Sequence, residues 1–196
     1  MKKNPILTFA LAMLFTLMAK AQYHEVKING LGLLYGQYSL GYEYCINNDM
    51  GVGLTLTYFD WGSDFLDFST VGSNSGFLAT ADYRYYLDYT EGADDFFVGG
   101  YARFRNQNSV ADVLDLSSGN TLSLQPTTIN ALALGFTFGQ KYVGRSGFVF
   151  EYFVGAGRNV SITSTLKDEG ENTTIIVDYF DTDWDLRLGG VLGYRF

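Results

Sequence analysis

From Ala131 to Tyr142 the chain alternates in polarity: Leu132, Leu134, Phe136, Phe138, Gln140 and Tyr142 fall on even positions, and Ala131, Ala133, Gly135, Thr137, Gly139 and Lys141 on odd ones. A period of two puts successive side chains on opposite faces of an extended strand. The same rhythm runs through Val52, Leu54, Leu56 and Tyr58, through Phe148, Phe150, Tyr152 and Val154, and through Trp184, Leu186, Leu188, Leu192, Tyr194 and Phe196. Read throughout, it predicts eight strands over residues 24–34, 37–46, 51–60, 76–88, 95–106, 127–141, 147–160 and 183–196. The connectors alternate as well. Those at 47–50, 89–94 and 142–146 are short, whereas 61–75, 107–126 and 161–182 are long, and only Tyr35-Gly36 breaks the sequence of lengths.

Which face points outward decides the class. In a soluble barrel the apolar face fills the interior; in a bilayer it meets lipid. The second face here is made of small residues interrupted by Glu43, Asp82, Arg84, Arg103, Glu151, Asp185, Arg187 and Arg195, a poor water-facing shell. Placed inward, the small residues let eight strands close around a narrow lumen that side chains can fill. The opposite charges would then pair across it, giving a salt-bridge plug instead of an ion-conducting path. The expected fold is an all-β, eight-stranded antiparallel up-and-down transmembrane β-barrel, with tight turns at one end and long loops at the other. Aromatics bunch at strand ends, as interfacial girdles do: Tyr58, Phe77, Phe104 and Trp184 toward the loops, and Tyr44, Tyr85, Phe96, Tyr142, Phe148, Tyr194 and Phe196 toward the turns.

The N-terminus adds a location. Lys2 and Lys3 precede an apolar run from Ile6 to Met18 and then Ala19-Lys20-Ala21, the pattern of a secretory signal peptide. That run is too short for a membrane-spanning helix. The expected organisation is a signal peptide over 1–21 and one barrel domain over 22–196. Removing the leader removes three lysines and no acid, so the net charge falls from −8 to −11. Such a balance excludes the phosphate-neutralising surface of a nucleic-acid binder. The lone cysteine, Cys45, can form no internal disulfide and is expected to pack within its strand.

Together the leader, the strand-turn-strand YSLGYEYCINNDMGVGLTLTYF (38–59) and the terminal LGYRF resemble the small eight-stranded outer-membrane barrels of the OmpA transmembrane-domain and OmpX/Ail type. The resemblance covers essentially all the mature chain and rests on pattern more than on signature residues. It implies an outer-membrane protein of a Gram-negative-type bacterium, monomeric, in contact with outer-membrane lipid and lipopolysaccharide. It also implies that Phe196, Tyr194, Leu192 and Leu188, with Gly190 as a gap, form the signal read by the barrel-assembly machinery. Unlike in full-length OmpA proteins, no peptidoglycan-binding domain is expected after the barrel.

No enzyme chemistry is expected. The sole histidine, His24, starts strand one with no serine or acid placed to orient it, so a Ser-His-acid site has no support and a solvated terminal residue is expected. Acids crowd the long connectors: Asp60, Asp64 and Asp67, then Asp112 and Asp115, then Asp168, Glu169, Glu171, Asp178 and Asp181. Neither DEGEN nor DTDWD completes a calcium loop, so an anionic rim without a metal site or cofactor is expected. The loop hydrophobics Trp61, Phe65, Leu66, Phe68, Leu114, Leu116, Ile175, Ile176, Tyr179 and Phe180 are read as extending the barrel above the membrane. Two Asn-X-Ser/Thr triplets, at Asn159 and Asn172, are chance matches in this setting. The expected role is in envelope integrity or surface interaction. A lipocalin-like soluble carrier and a lipid A-modifying barrel enzyme are the competing readings.

Overall fold

Eight strands follow one another around a closed antiparallel sheet in the computed structural model, which describes residues 23–61, 74–90, 92–114, 121–166 and 184–196. They are β1 (His24–Asn29), β2 (Gln37–Cys45), β3 (Met50–Trp61), β4 (Asn74–Tyr86), β5 (Asp95–Leu114), β6 (Thr121–Val143), β7 (Phe148–Leu166) and β8 (Trp184–Arg195). Each pairs with its sequence neighbours, and β1 pairs with β8 to close the ring. That seam runs from Glu25↔Arg195 to Asn29↔Val191. Its end is fixed by the chain terminus: the His24 amide donates to the Phe196 carbonyl (3.2 Å), and the Phe196 amide donates back (2.9 Å). The expected leader lies outside the described residues, as do Asp64, Asp67, Asp115 and the acids of 168–181.

The alternation sorts the faces as the sequence predicts. Phe136 and Phe138 stand outward while Ala131, Ala133, Thr137 and Lys141 are buried inside. Tight turns and both ends of the described chain share one end of the barrel, here the near end. Tyr85, Phe96, Tyr142, Phe148, Tyr194 and Phe196 ring its outside, and Tyr58, Phe77, Phe104 and Trp184 are exposed toward the far end.

Strand one is shorter than expected, ending at Asn29 instead of 34. Asn29 caps a single helical turn, α1 (Gly30–Leu34), its Oδ1 accepting from the Gly32 amide at 3.0 Å. A side chain that satisfies a local amide competes with the sheet ladder. α1 then folds against β8, with Leu31 lying over Gly190, where an added Cβ would meet Leu31 carbons at 2.7 Å. Gly190, the gap in the outward series of β8, is therefore the place where α1 sits.

Three far-end strands are longer than expected, so much of 107–126 and the start of 161–182 are sheet. The β5–β6 ladder continues to Leu114↔Thr121 across an irregularity between Ala111 and Val113, and β7 reaches Leu166 beside Thr127. β-branched residues such as Val110, Val113, Thr127 and Thr128 favour extended backbone there. Pro126 lies just beyond the last described β6–β7 pair, where among the described residues β5 alone flanks β6, a position that tolerates a missing amide proton. Asp112 thus belongs to β5. Among the described residues β4 accompanies β5 to Asn74↔Ser109, and β5 continues for five residues, or about 17 Å, to Leu114. β7 carries a bulge opposite Leu132/Ala133, after which Ile162 takes the inward side.

Candidate functional site in the barrel interior

The inward positions nearest the turns form a belt of charge. Glu25 and Lys27 come from β1, Glu43 from β2, Asp82 and Arg84 from β4, Lys141 from β6, Glu151 from β7 and Arg195 from β8, all of them buried. Lys27 Nζ donates to Glu43 Oε2 (2.6 Å) and Glu151 Oε2 (2.7 Å) and lies 3.0 Å from Glu25. Arg84 Nη1 reaches the same two glutamates (2.9 and 2.8 Å), while its Nε holds Asp82 at 2.5 Å. Lys141 bridges Glu25 (3.2 Å) and Glu43 (2.9 Å). Arg195 donates to Glu25 through Nη2 (2.6 Å) and to the carbonyls of Gly92 and Ala93, tying the belt to a near-end turn.

Four cations meet four carboxylates in this set, so burial is matched by pairing, the condition under which buried charge is tolerated. Aromatic residues fill the remaining space. Tyr86 donates to Glu43 and lies under the Lys141 ammonium, which is 4.3 Å from its ring centre, and Arg84 sits over Phe97 at 4.8 Å. Cys45 is buried beside Glu25 and Glu43, its Sγ at 3.8 and 3.9 Å from them. These three residues bring potential metal ligands within 4.8 Å of one another. The carboxylates among them already hold Lys27, Lys141, Arg84 and Arg195, so the surroundings satisfy them without an ion.

A second group lies farther from the turns. Tyr101 reaches from β5 across β6 and β7 to Asp185 on β8, donating at 2.7 Å to Oδ2. It can do so because Gly135 and Gly157 lie beneath it; a Cβ at either would come within 2.6 Å of its ring or hydroxyl. Arg103 Nη1 donates to Asp185 Oδ1 (2.9 Å) and its Nε to Thr80 (3.3 Å). Arg187 stacks over the rings of Tyr101 and Phe153, 4.5 and 5.0 Å from their centres. A cavity of about 230 Å³ opens beside this group.

A family model described as "Protein of unknown function (DUF3575)" matches residues 7–168, most of the chain. The chain belongs to the DUF3575 family. No curated protein matches it in sequence. Among solved structures, a major outer membrane protein from Thermus thermophilus has the same fold, with a TM-score of 0.56 at 16% identity, over 90% of this chain and 100% of that one.

In this DUF3575 chain all eight charged residues singled out from the sequence point inward, but they divide. Glu43, Asp82, Arg84, Glu151 and Arg195 join the belt, Arg103 pairs with Asp185, and Arg187 rests on rings with no ion-pair partner among the described residues. Sequence reasoning missed Glu25, Lys27 and Lys141, although their alternation with Val26, Ile28, Gln140 and Tyr142 marks them as inward. The residues expected to form a terminal assembly signal, Leu188, Leu192, Tyr194 and Phe196, all face outward. His24 corrects an expectation. Instead of being solvated it is 7% exposed, sharing a 2.6 Å hydrogen bond with the Tyr42 hydroxyl and stacking on Phe196, because Tyr42, Tyr44 and the terminal ring converge on it from neighbouring strands.

Proposed function

We propose that this chain is an integral outer-membrane barrel whose lumen is plugged by the charged belt, with acidic far-end loops outside the cell and a role in envelope integrity or surface interaction. One observation carries the reading: the sheet turns its apolar side chains outward and its ion pairs inward. Leu132, Leu134, Phe136 and Phe138 are 40–78% exposed on consecutive outward positions, while Glu25, Lys141 and Glu151 are fully buried. Water would leave that outer surface unfavourable, and lipid suits it. A soluble carrier needs the reverse arrangement, with an apolar interior to hold its ligand. The fold shared with an outer membrane protein supports the same location. The reading is of a non-enzymatic monomer: His24, the sole histidine, faces outward at the near end, held by tyrosine and phenylalanine.

The test is depth-resolved quenching. Protein refolded in liposomes with lipids brominated at several depths loses its tryptophan emission chiefly to bromines near the outer interface, and Trp184→Phe removes most of that effect. A folded, water-soluble sample with no quenching would refute the membrane reading. The terminal series is proposed as the assembly signal, with Phe196 also closing the seam to His24. Phe196→Ser is expected to lower the inserted fraction in cells severalfold while leader cleavage proceeds; normal insertion would reject that role.

A further inference from the structure

Beyond the belt, the far half of the lumen has a different charge balance. Arg103, Arg105 and Arg187 line its cavity with two carboxylates, Asp185, taken up by Arg103 and Tyr101, and Glu151, held at the belt side by Lys27 and Arg84. Arg187 is 8% exposed, yet its Nε and Nη1 have no hydrogen-bond partner, and neither has Nε of Arg105. A buried guanidinium with free donors is costly unless something accepts from it. Its planar fork matches an oxyanion.

The same cavity is lined on one side by Trp184, Leu186 and Leu188, residues that face outward. It reaches them because β1 ends early. β8 pairs with β1 only from Val191 to Arg195, and from Trp184 to Gly190 it has β7 alone beside it among the described residues. α1 covers Gly190, but the three residues beyond stay 69–74% exposed, more than most outward side chains of the barrel. A strand edge facing hydrocarbon leaves backbone groups unsatisfied, so irregular wall of this kind suits a site that lines a cavity.

We propose that the far lumen binds an anionic amphiphile, its oxyanion head on Arg187 and Arg105 and its apolar chain leaving the barrel between β8 and β2 along Trp184, Leu186 and Leu188. The proposal rests on the reading that this barrel sits in a bilayer. A polar, cationic pocket continuous with an apolar exit fits a molecule with both characters, such as a fatty acid or a single-chain phospholipid, better than a free inorganic anion.

The probe is a long-chain fatty acid brominated on its chain, added to the full mature chain carrying Trp61→Phe and refolded in detergent micelles, so that Trp184 reports alone. The brominated acid is expected to quench saturably, at a mole fraction about tenfold below that of its neutral methyl ester, the factor expected for hydrogen bonds to a charged group. Unbrominated acid should reverse the quenching. Arg187→Gln and, separately, Arg105→Gln should bring the acid to the level of the ester. Two variants guard against one that does not fold, with β-type circular dichroism as the check. Equal quenching by acid and ester, or quenching by the acid that is untouched in both folded variants, would overturn the proposal. Displacement of the acid by inorganic phosphate at equal concentration would overturn the lateral exit by making a soluble anion the ligand. Failure of the membrane reading is separable, because it appears as absence of quenching in the liposome experiment, before any ligand is added.

Discussion

Replacing Glu43 with Gln is expected to destabilise the folded barrel by about 3–5 kcal/mol, the usual cost of removing one member of a buried ionic group. Glu43 accepts from Lys27, Arg84, Lys141 and Tyr86 at once. The amide keeps the shape and removes the charge, so three buried cations then share fewer carboxylates. Urea titration of protein folded in lipid vesicles, read by tryptophan emission, measures the loss. Adding Lys141→Met to Glu43→Gln should return part of it, since the double variant no longer holds the stranded ammonium, and the non-additivity gives the coupling directly. A loss below about 1 kcal/mol for the single variant, as solvated surface pairs give, would mean that the belt is hydrated and the lumen is not plugged.

Phe136→Arg is expected to cost about 2–4 kcal/mol when the protein folds into a bilayer, the range for arginine on the lipid face near mid-depth. Phe136 lies on β6 about midway between Tyr142 of the near-end ring and Leu132, which pairs with Phe104 of the far-end aromatics; it stands opposite Gly100 and Ala156 and is 78% exposed. The same change at Phe148, on the near-end rim, should cost at most about 1 kcal/mol, because arginine there reaches the interface. The depth dependence is what distinguishes the readings. On a soluble carrier both positions are plain surface, and both substitutions would fall within about 0.5 kcal/mol of neutral. Equal, small effects at the two sites in vesicle-refolded protein would refute the membrane reading.

The architecture was legible because the outward face repeats every second residue for most of each strand. Leu132 to Phe138 and Val52 to Tyr58 allow only one assignment of faces, and a register slip would reverse both. The belt was legible in part. Glu43, Arg84 and Glu151 stand out as isolated charges among small residues within long alternating runs. Glu25 and Lys27 do not, because strand one is six residues long and its alternation is brief. The aromatic filling of the lumen by Phe59, Tyr86, Phe97, Tyr101 and Phe153 was hidden for another reason. An inward ring looks like an outward one until the glycines beneath it, Gly135 and Gly157 under Tyr101, are seen on strands distant in sequence. The far-end extensions were not legible, since beyond Asn106 the two faces no longer differ in polarity and the periodic signal fades while the backbone remains extended. α1 depends on one side-chain cap at Asn29, a signal too local for a period-two reading to register.

Among the described residues, the early stop of β1 and the long β5–β6 hairpin lie on opposite sides of an eight-membered ring, so the described wall differs in height from one side to the other. The described wall is tall along β5 and β6 and low where α1 takes the place of strand. The barrel therefore has a front and a back, and any neighbour that docks against it meets two different proteins depending on the direction from which it comes.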